Sequence, residues 1–434
     1  MNRILLRSLC ISFSLGAFSI AGFSQQSLPV EELSARADSL YLAKQFGPAT
    51  TYYGITAEQS DFKLKKADAY YNMACCLSIR GKVDSALLIL SKALDAGFGN
   101  KANMLADKDL KVLQGDARWT ALIKRVPDRK KVLNADPRKA AFVTSDVHHF
   151  WEAYDQAMKD TANFKSIMKR LYLDKASPGM NDYMASKVSS IDAFIEHIRS
   201  APVFYAAIRN NTFKTDAYKP AFSSSYAKMK SIYPESKFPD VYFVIGAFTS
   251  AGTVSDLGLL LGVNQIASDP STPVDELSFK RRSRLNNISF LPNVLAHELV
   301  HYQQGGMKND TTTLSYAIRE GMGDFIGELI SGKPANQVLF DWTKGKEKRI
   351  WEKFKADMYY DRYDNWIANS KISGPDNLPD QGYWIGYEIC KAYYEQSKDK
   401  KQAIYDMLHI QDYKAFLEKS KWQEKVEELS LPAM

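Results

Sequence analysis

Two apolar runs in the C-terminal half of the chain have to be helices, and most of what the chain can be follows from them. One run sets His297 and His301 four residues apart among Leu291, Val294, Leu295, Leu299 and Val300. Apolar residues at that spacing make one stripe of a helix, not the alternating faces of a strand. Residues four apart then lie one turn apart on the same face. The second run carries Leu314, Ala317, Ile318, Phe325, Ile326 and Leu329 around Glu320 and Asp324, again four apart. The linear pattern is H-E-x-x-H over His297, Glu298 and His301, then eighteen residues, then E-x-x-x-D.

Two imidazoles on one helix face can reach a single tetrahedral zinc ion. Glu298 is one step round the helix, within reach of a water on that metal. A catalytic zinc needs three protein ligands and one open position, so Glu320 is the natural third ligand, from the second helix. Asp324, one turn further on, can accept the free ring N–H of a histidine ligand and fix its tautomer. The bland alternative is a buried helix with two polar histidines, which would still need partners to offset desolvation.

This pattern resembles the gluzincin zinc peptidases, the superfamily of thermolysin and the alanyl aminopeptidases. The wider stretch from about Asp146 to Lys419 is similar to a family of predicted bacterial zinc-dependent proteases. It is matched at Phe243–Gly246, the His297 motif, Ile318–Gly321, Trp351–Phe354 and Gly382–Tyr387. The resemblance implies Zn2+ on His297, His301 and Glu320, Glu298 as general base, and Asp324 behind the ligands. It also implies a tyrosine in a Y-x-x-G context as donor to the oxyanion. Tyr383 followed by Gly386 fits that context and Tyr387 fits it less well; the alternative is a buried aromatic beside a close-packing glycine. No G-x-M-x-N-type motif lies between Phe243 and Asn264, so the resemblance favours an endopeptidase over an aminopeptidase. The expectation is therefore an exported zinc metallopeptidase acting on a peptide or protein substrate. The competing reading is a catalytically silent binding or assembly module on a peptidase fold, whose helical repeats recruit a protein partner. An intact Glu298 favours the first, because a scaffold needs no general base.

The rest of the chain bounds these readings. Its 434 residues are 45% hydrophobic and 25% charged, enough for two or three globular domains. A net charge of +7 is mild, and the densest basic stretch, Lys124 to Lys131, reads as a solvated linker and not as a nucleic-acid surface. Arg3 and Arg7 precede a short apolar run from Leu9 to Phe23, as in a secretory leader cleaved after Ser24. Cys10 sits early in that run; a lipoprotein signal would place its cysteine after it, which argues against lipidation. A periplasmic or secreted protein with no membrane span in its mature chain is expected. Cys75, Cys76 and Cys390 remain, too few and too placed to form a disulfide framework.

From Val30 to about Asn100 the chain reads as two copies of a helix–turn–helix that resembles a tetratricopeptide repeat. An offset of 37 aligns Ala37 with Ala74, Leu40 with Leu77 and Ala49 with Ala86, while Lys44 replaces the turn glycine Gly81. Asp107 to Leu122 looks like a helical cap. Val126-Pro127 to Asp136-Pro137 marks a linker, and helices follow from Ser145. Asp240–Gly246 and Leu257–Asn264 read as strands with a turn at Phe248–Thr253 between them. His148 and His149 read as capping or surface residues, and His197 and His409 as structural or exposed. The predicted plan is mainly α (α+β). A leader spans 1–24, tetratricopeptide-like repeats and cap 25–126, and a linker 127–143. A gluzincin-type metallopeptidase domain with a small sheet and a helical C-terminal subdomain spans 144–434.

Overall fold

The computed structural model describes residues 28–127, 134–369 and 377–429. The leader, Cys10 and the middle of the linker lie outside the described residues.

The N-terminal part is built from helices α1 (Val30–Leu42), α2 (Phe46–Gln59), α3 (Lys63–Ile79) and α4 (Val83–Asp95), followed by α5 (Ala117–Arg125). Small residues decide how the helices meet: Ala37, Ala49, Ala74 and Ala86 are all fully buried, so neighbouring backbones approach closely. The two turns share a conformation. Gly81 takes φ +69° and Lys44 takes φ +58°, so the residue aligned with the turn glycine accepts the left-handed region despite its side chain. Trp119 and Leu122 of α5 join the core of α3 and α4 and close its open end. Cys75, Cys76 and Cys390 are buried free thiols.

A second and larger core is built around a four-stranded sheet of order β1-β2-β4-β3. β1 (Phe142–Val143) lies in what the sequence predicts as the end of the linker. β2 (Asp240–Val244) and β4 (Gly258–Gly262) run parallel, which rules out a plain hairpin between them. The predicted turn holds a strand of its own, β3 (Gly252–Ser255), antiparallel to β4 and at the edge of the sheet. β4 is buried along its whole length and each residue of β3 is half-buried. Helices cover the sheet. α6 (Ser145–Lys159) packs on β2, and α7 (Pro178–Lys187) is held by Tyr183, whose hydroxyl donates to Ser250 O at 2.7 Å. α8 (Ile191–Arg199) follows. The chain is mainly helical with one small mixed sheet, as expected at that level.

The N-terminal helices dock on this unit through polar contacts and through Phe62, which packs against the larger core. Asp61, just before α3, accepts the N–H of Ile191 at 2.8 Å, capping α8 from outside. Lys65 reaches the carbonyls of Val188 and Ser189 at 3.3 and 3.5 Å.

Candidate metal centre

α9 (Leu291–Gln303) carries the first run and α10 (Thr313–Ser331) the second, and the two pack side by side. Pro292 stands in the first turn of α9, where its missing N–H costs nothing. Thr312 caps α10 by accepting from the Ser315 N–H, and Gly332 ends it in the left-handed conformation. α11 (Gln381–Gln396) crosses α10, and the crossing depends on glycine. A Cβ on Gly321 would stand 1.9 Å from Tyr387 N, and one on Gly386 would stand 1.7 Å from Ala317 O.

This packing brings His297, His301 and Glu320 together. Nε2 of His297 and Nε2 of His301 are 2.9 Å apart, and they stand 3.6 and 3.2 Å from Glu320 Oε2. A tetrahedral ion with bonds of about 2.0–2.1 Å spaces its ligands about 3.3 Å apart, so the three atoms suit one zinc ion. The opposite ring nitrogens are also directed. His301 Nδ1 meets Gln304 Oε1 at 2.9 Å, and Gln304 is itself held by donating to Arg319 O. His297 Nδ1 lies 3.4 Å from Asp324 Oδ1 without hydrogen-bond geometry and is a buried nitrogen with no hydrogen-bond partner. Asp324 is fully buried and accepts from Ala335 N and from Asn336 Nδ2 at 2.9 and 2.8 Å.

Electrostatics follows from crowding these groups out of water. Burial opposes the charged form of His297, yet Asp324, Glu320 and Glu298 outweigh it and hold its pKa well above the ordinary value. Burial also works against the Glu320 carboxylate, but His301 and His297 keep it far below the usual carboxylate range. Glu298 is shifted the other way: burial raises it, against the pull of both histidines. Without an ion the two rings and the Glu320 carboxylate pair with one another, and an ion would take their place by displacing the ring protons.

Glu298 turns toward β3. A Cβ on Gly252 would stand 2.3 Å from Glu298 Oε1, so only glycine leaves room for the carboxylate beside the edge strand. The Tyr383 ring stacks on His297 at 5.9 Å between centroids, and burial, then Glu320 and Asp380, push its hydroxyl well above the ordinary value. Tyr387 points elsewhere, to a hydrogen bond with Glu328. His148 pairs with Asp216 at 3.2 Å at the surface, away from this centre. A cavity of about 690 Å³ opens over the site, lined by Thr253, Val254, Tyr316 and Arg319 as well as the residues above.

Sequence reasoning missed Gln304 and Gly252. Gln304 was within reach of notice, since it follows His301 by three residues and so shares its helix face. Gly252 was not, because its partner Glu298 is distant in the chain.

Residues 134–424 match the family model described as gliding motility protein GldB, a lipoprotein family and not a peptidase family. That match overturns the gluzincin assignment. With it go the zinc-protease family, hydrolase activity and the endopeptidase preference. The physical reason is that donors on two packed helices specify a place for a cation and nothing of what is brought to it. No curated protein and no solved structure matches the chain. A lipoprotein family is an envelope-associated one, and among the described residues no helix is long and apolar enough to cross a membrane. The match covers well over half of the chain and spans α6 to α11, with His297, His301 and Glu320 inside it; the chain belongs to the gliding motility protein GldB family.

Proposed function

We propose that the chain is an assembly component of the gliding apparatus, on the periplasmic or outer side of the envelope. In this reading it recruits a protein partner through its tetratricopeptide-like repeats, and His297, His301 and Glu320 hold a zinc ion that fixes the cleft in shape. The observation that carries the reading is the family match, because the segment it covers contains the whole histidine–carboxylate cluster. Two features support it. The repeats are docked beside the cleft through Asp61 and Lys65. The three donor atoms lie at the spacing of ligands on one ion, with Asp324 and Gln304 behind the rings. A bound zinc would tie α9 to α10 and so stiffen the wall of the cleft.

The test is replacement in cells whose gliding depends on this chain, with metal analysis of each purified variant. Glu298→Gln is expected to keep one zinc per chain and to support gliding as the parent does. The double variant His297→Ala, His301→Ala is expected to lose both. A Glu298→Gln chain that is folded and zinc-loaded yet cannot support gliding would overturn the assembly reading. An unaltered metal content in the double variant would remove the zinc.

A further inference from the structure

A basic turn with an exposed phenylalanine stands on the surface of the larger unit. Ser278 caps the single helical turn Phe279–Arg282 by accepting the Arg281 N–H. Phe279 is 57% exposed, and Lys280 and Arg282 beside it are exposed too. Leu277, just before the turn, is buried and anchors it. The turn lies against the start of the helix Pro202–Thr212. Glu276 accepts the Phe204 N–H at 2.9 Å, and Arg281 is near enough for its charge to act on His197 of α8. At that start Pro202 is exposed and Val203 is 55% exposed, and Arg199, also exposed, closes α8. Two large apolar side chains thus stand out of the surface on adjoining elements, with Arg199, Lys280 and Arg282 on those same elements.

A scattered exposed apolar residue needs no explanation, but this pair comes with uncompensated charge. The stretch from Val274 to Arg284 holds four cations and two acids, and one of the acids, Glu276, is taken up by the helix start. Among the described residues neither Lys280 nor Arg282 makes an ion pair. An anionic bilayer answers both features at once. Its headgroups carry negative charge, and the layer beneath them accepts an aromatic or aliphatic side chain, while long basic side chains reach back to the phosphates. The chain belongs to a lipoprotein family, which sets it beside a membrane.

We infer that this patch docks on a membrane surface that carries anionic phospholipids, with Phe279 and Val203 entering the headgroup layer and Arg199, Lys280 and Arg282 pairing with lipid phosphates. Each cation near such a surface strengthens binding about fivefold. Two shallow apolar anchors and a few cations give reversible contact, so the patch sets how the molecule lies on the bilayer and does not hold it there permanently. The inference goes beyond the assembly reading and requires neither the zinc ion nor a protein partner.

The experiment is co-sedimentation of the purified chain from Gln25 onward, which keeps every described residue, with phosphatidylcholine vesicles that contain about 30% phosphatidylglycerol or none. Binding is expected on the anionic vesicles, at least about tenfold weaker on the neutral ones, and falling as salt rises. Lys280→Gln with Arg282→Gln is expected to weaken it more than about tenfold, at about fivefold per cation. Phe279→Ser leaves the charge unchanged and is expected to weaken it at least about fivefold. Lys398→Gln with Lys401→Gln makes the same change of charge at exposed positions elsewhere and is expected to alter binding less than about twofold. All these positions are exposed, so each variant should melt with the parent. Equal binding to the two kinds of vesicle, or to neither, would overturn the inference and leave the assembly reading standing. Unchanged binding by Phe279→Ser would also overturn it, since a patch that acts by charge alone suits a soluble acidic partner. An equal loss in the Lys398, Lys401 pair would assign the binding to net charge and overturn it as well.

Discussion

His197, on α8, is 3% exposed, and neither of its ring nitrogens has a hydrogen-bond partner. It packs between Tyr205 and Phe248, and burial, aided by Arg281, holds its pKa down at about 3. The sign follows. Between pH 6.5 and about 3 the unfolded histidine takes up a proton that the folded one refuses, so its contribution to stability is complete above 6.5 and is lost as pH falls through that window. His197→Phe keeps a ring in the slot and removes the proton. Urea unfolding of both proteins at pH 7 and pH 5 is expected to show the variant gaining about 2 kcal/mol on the wild type between the two, at about 1.4 kcal/mol per pH unit. Parallel pH profiles would show that His197 is protonated or solvated in the fold. At this scale the sequence was readable where spacing within one helix carried the information. His297 and His301 met because they are four apart, and the reading of His197 as structural or exposed covered its buried place. Orphaned nitrogens were not readable, because they depend on what every other element brings to the slot.

Elements were legible in proportion to their periodicity. α9, α10 and the N-terminal helices announce themselves by apolar stripes and by paired alanines. β3 does not: Gly252-Thr-Val-Ser255 is short and half-buried, and it is a strand only because β4 offers it a ladder. The parallel pairing of β2 with β4 is equally hidden, since it is fixed by what crosses between them. Gly386 shows how one residue invites two readings. In sequence it completes a Y-x-x-G context after Tyr383; in the fold it lets α11 lie against the carbonyl of Ala317 on α10. Gly386→Ala should therefore destabilise the molecule by about 3 kcal/mol or prevent folding, since overpacking costs about 1–3 kcal/mol even where some relaxation is possible. Gly305→Ala, where no atom lies within 4 Å of the added methyl, is the control and should change stability by less than about 0.5 kcal/mol. Equal denaturation midpoints for the two variants would mean that the α10–α11 crossing gives way easily and that the close contact is not what holds it.

At the scale of the molecule, the N-terminal helices meet the sheet-bearing core across a seam that combines polar bonds with the Phe62 ring, which packs against that core. Each core closes without the other: Trp119 and Leu122 finish the first, and the sheet with its covering helices makes the second. What orients the N-terminal helices is this ring contact together with a small set of directional bonds, among them that of Asp61, which accepts from Ile191 at the start of α8. That contact joins a carboxylate to the positive end of a helix, an interaction worth about 1 kcal/mol, and it costs nothing within either core when removed. The seam was not foreseeable from the sequence, because Asp61 and Ile191 are far apart in the chain. Asp61→Ala should leave each core intact and loosen their relative placement. Hydrogen exchange should quicken at residues 191–193. Asp84→Ala, which removes an exposed partner of Arg118 within the first unit, should leave that exchange unchanged. If exchange is unchanged, Lys65 and the surrounding contacts suffice to hold the seam, and the capping bond is dispensable.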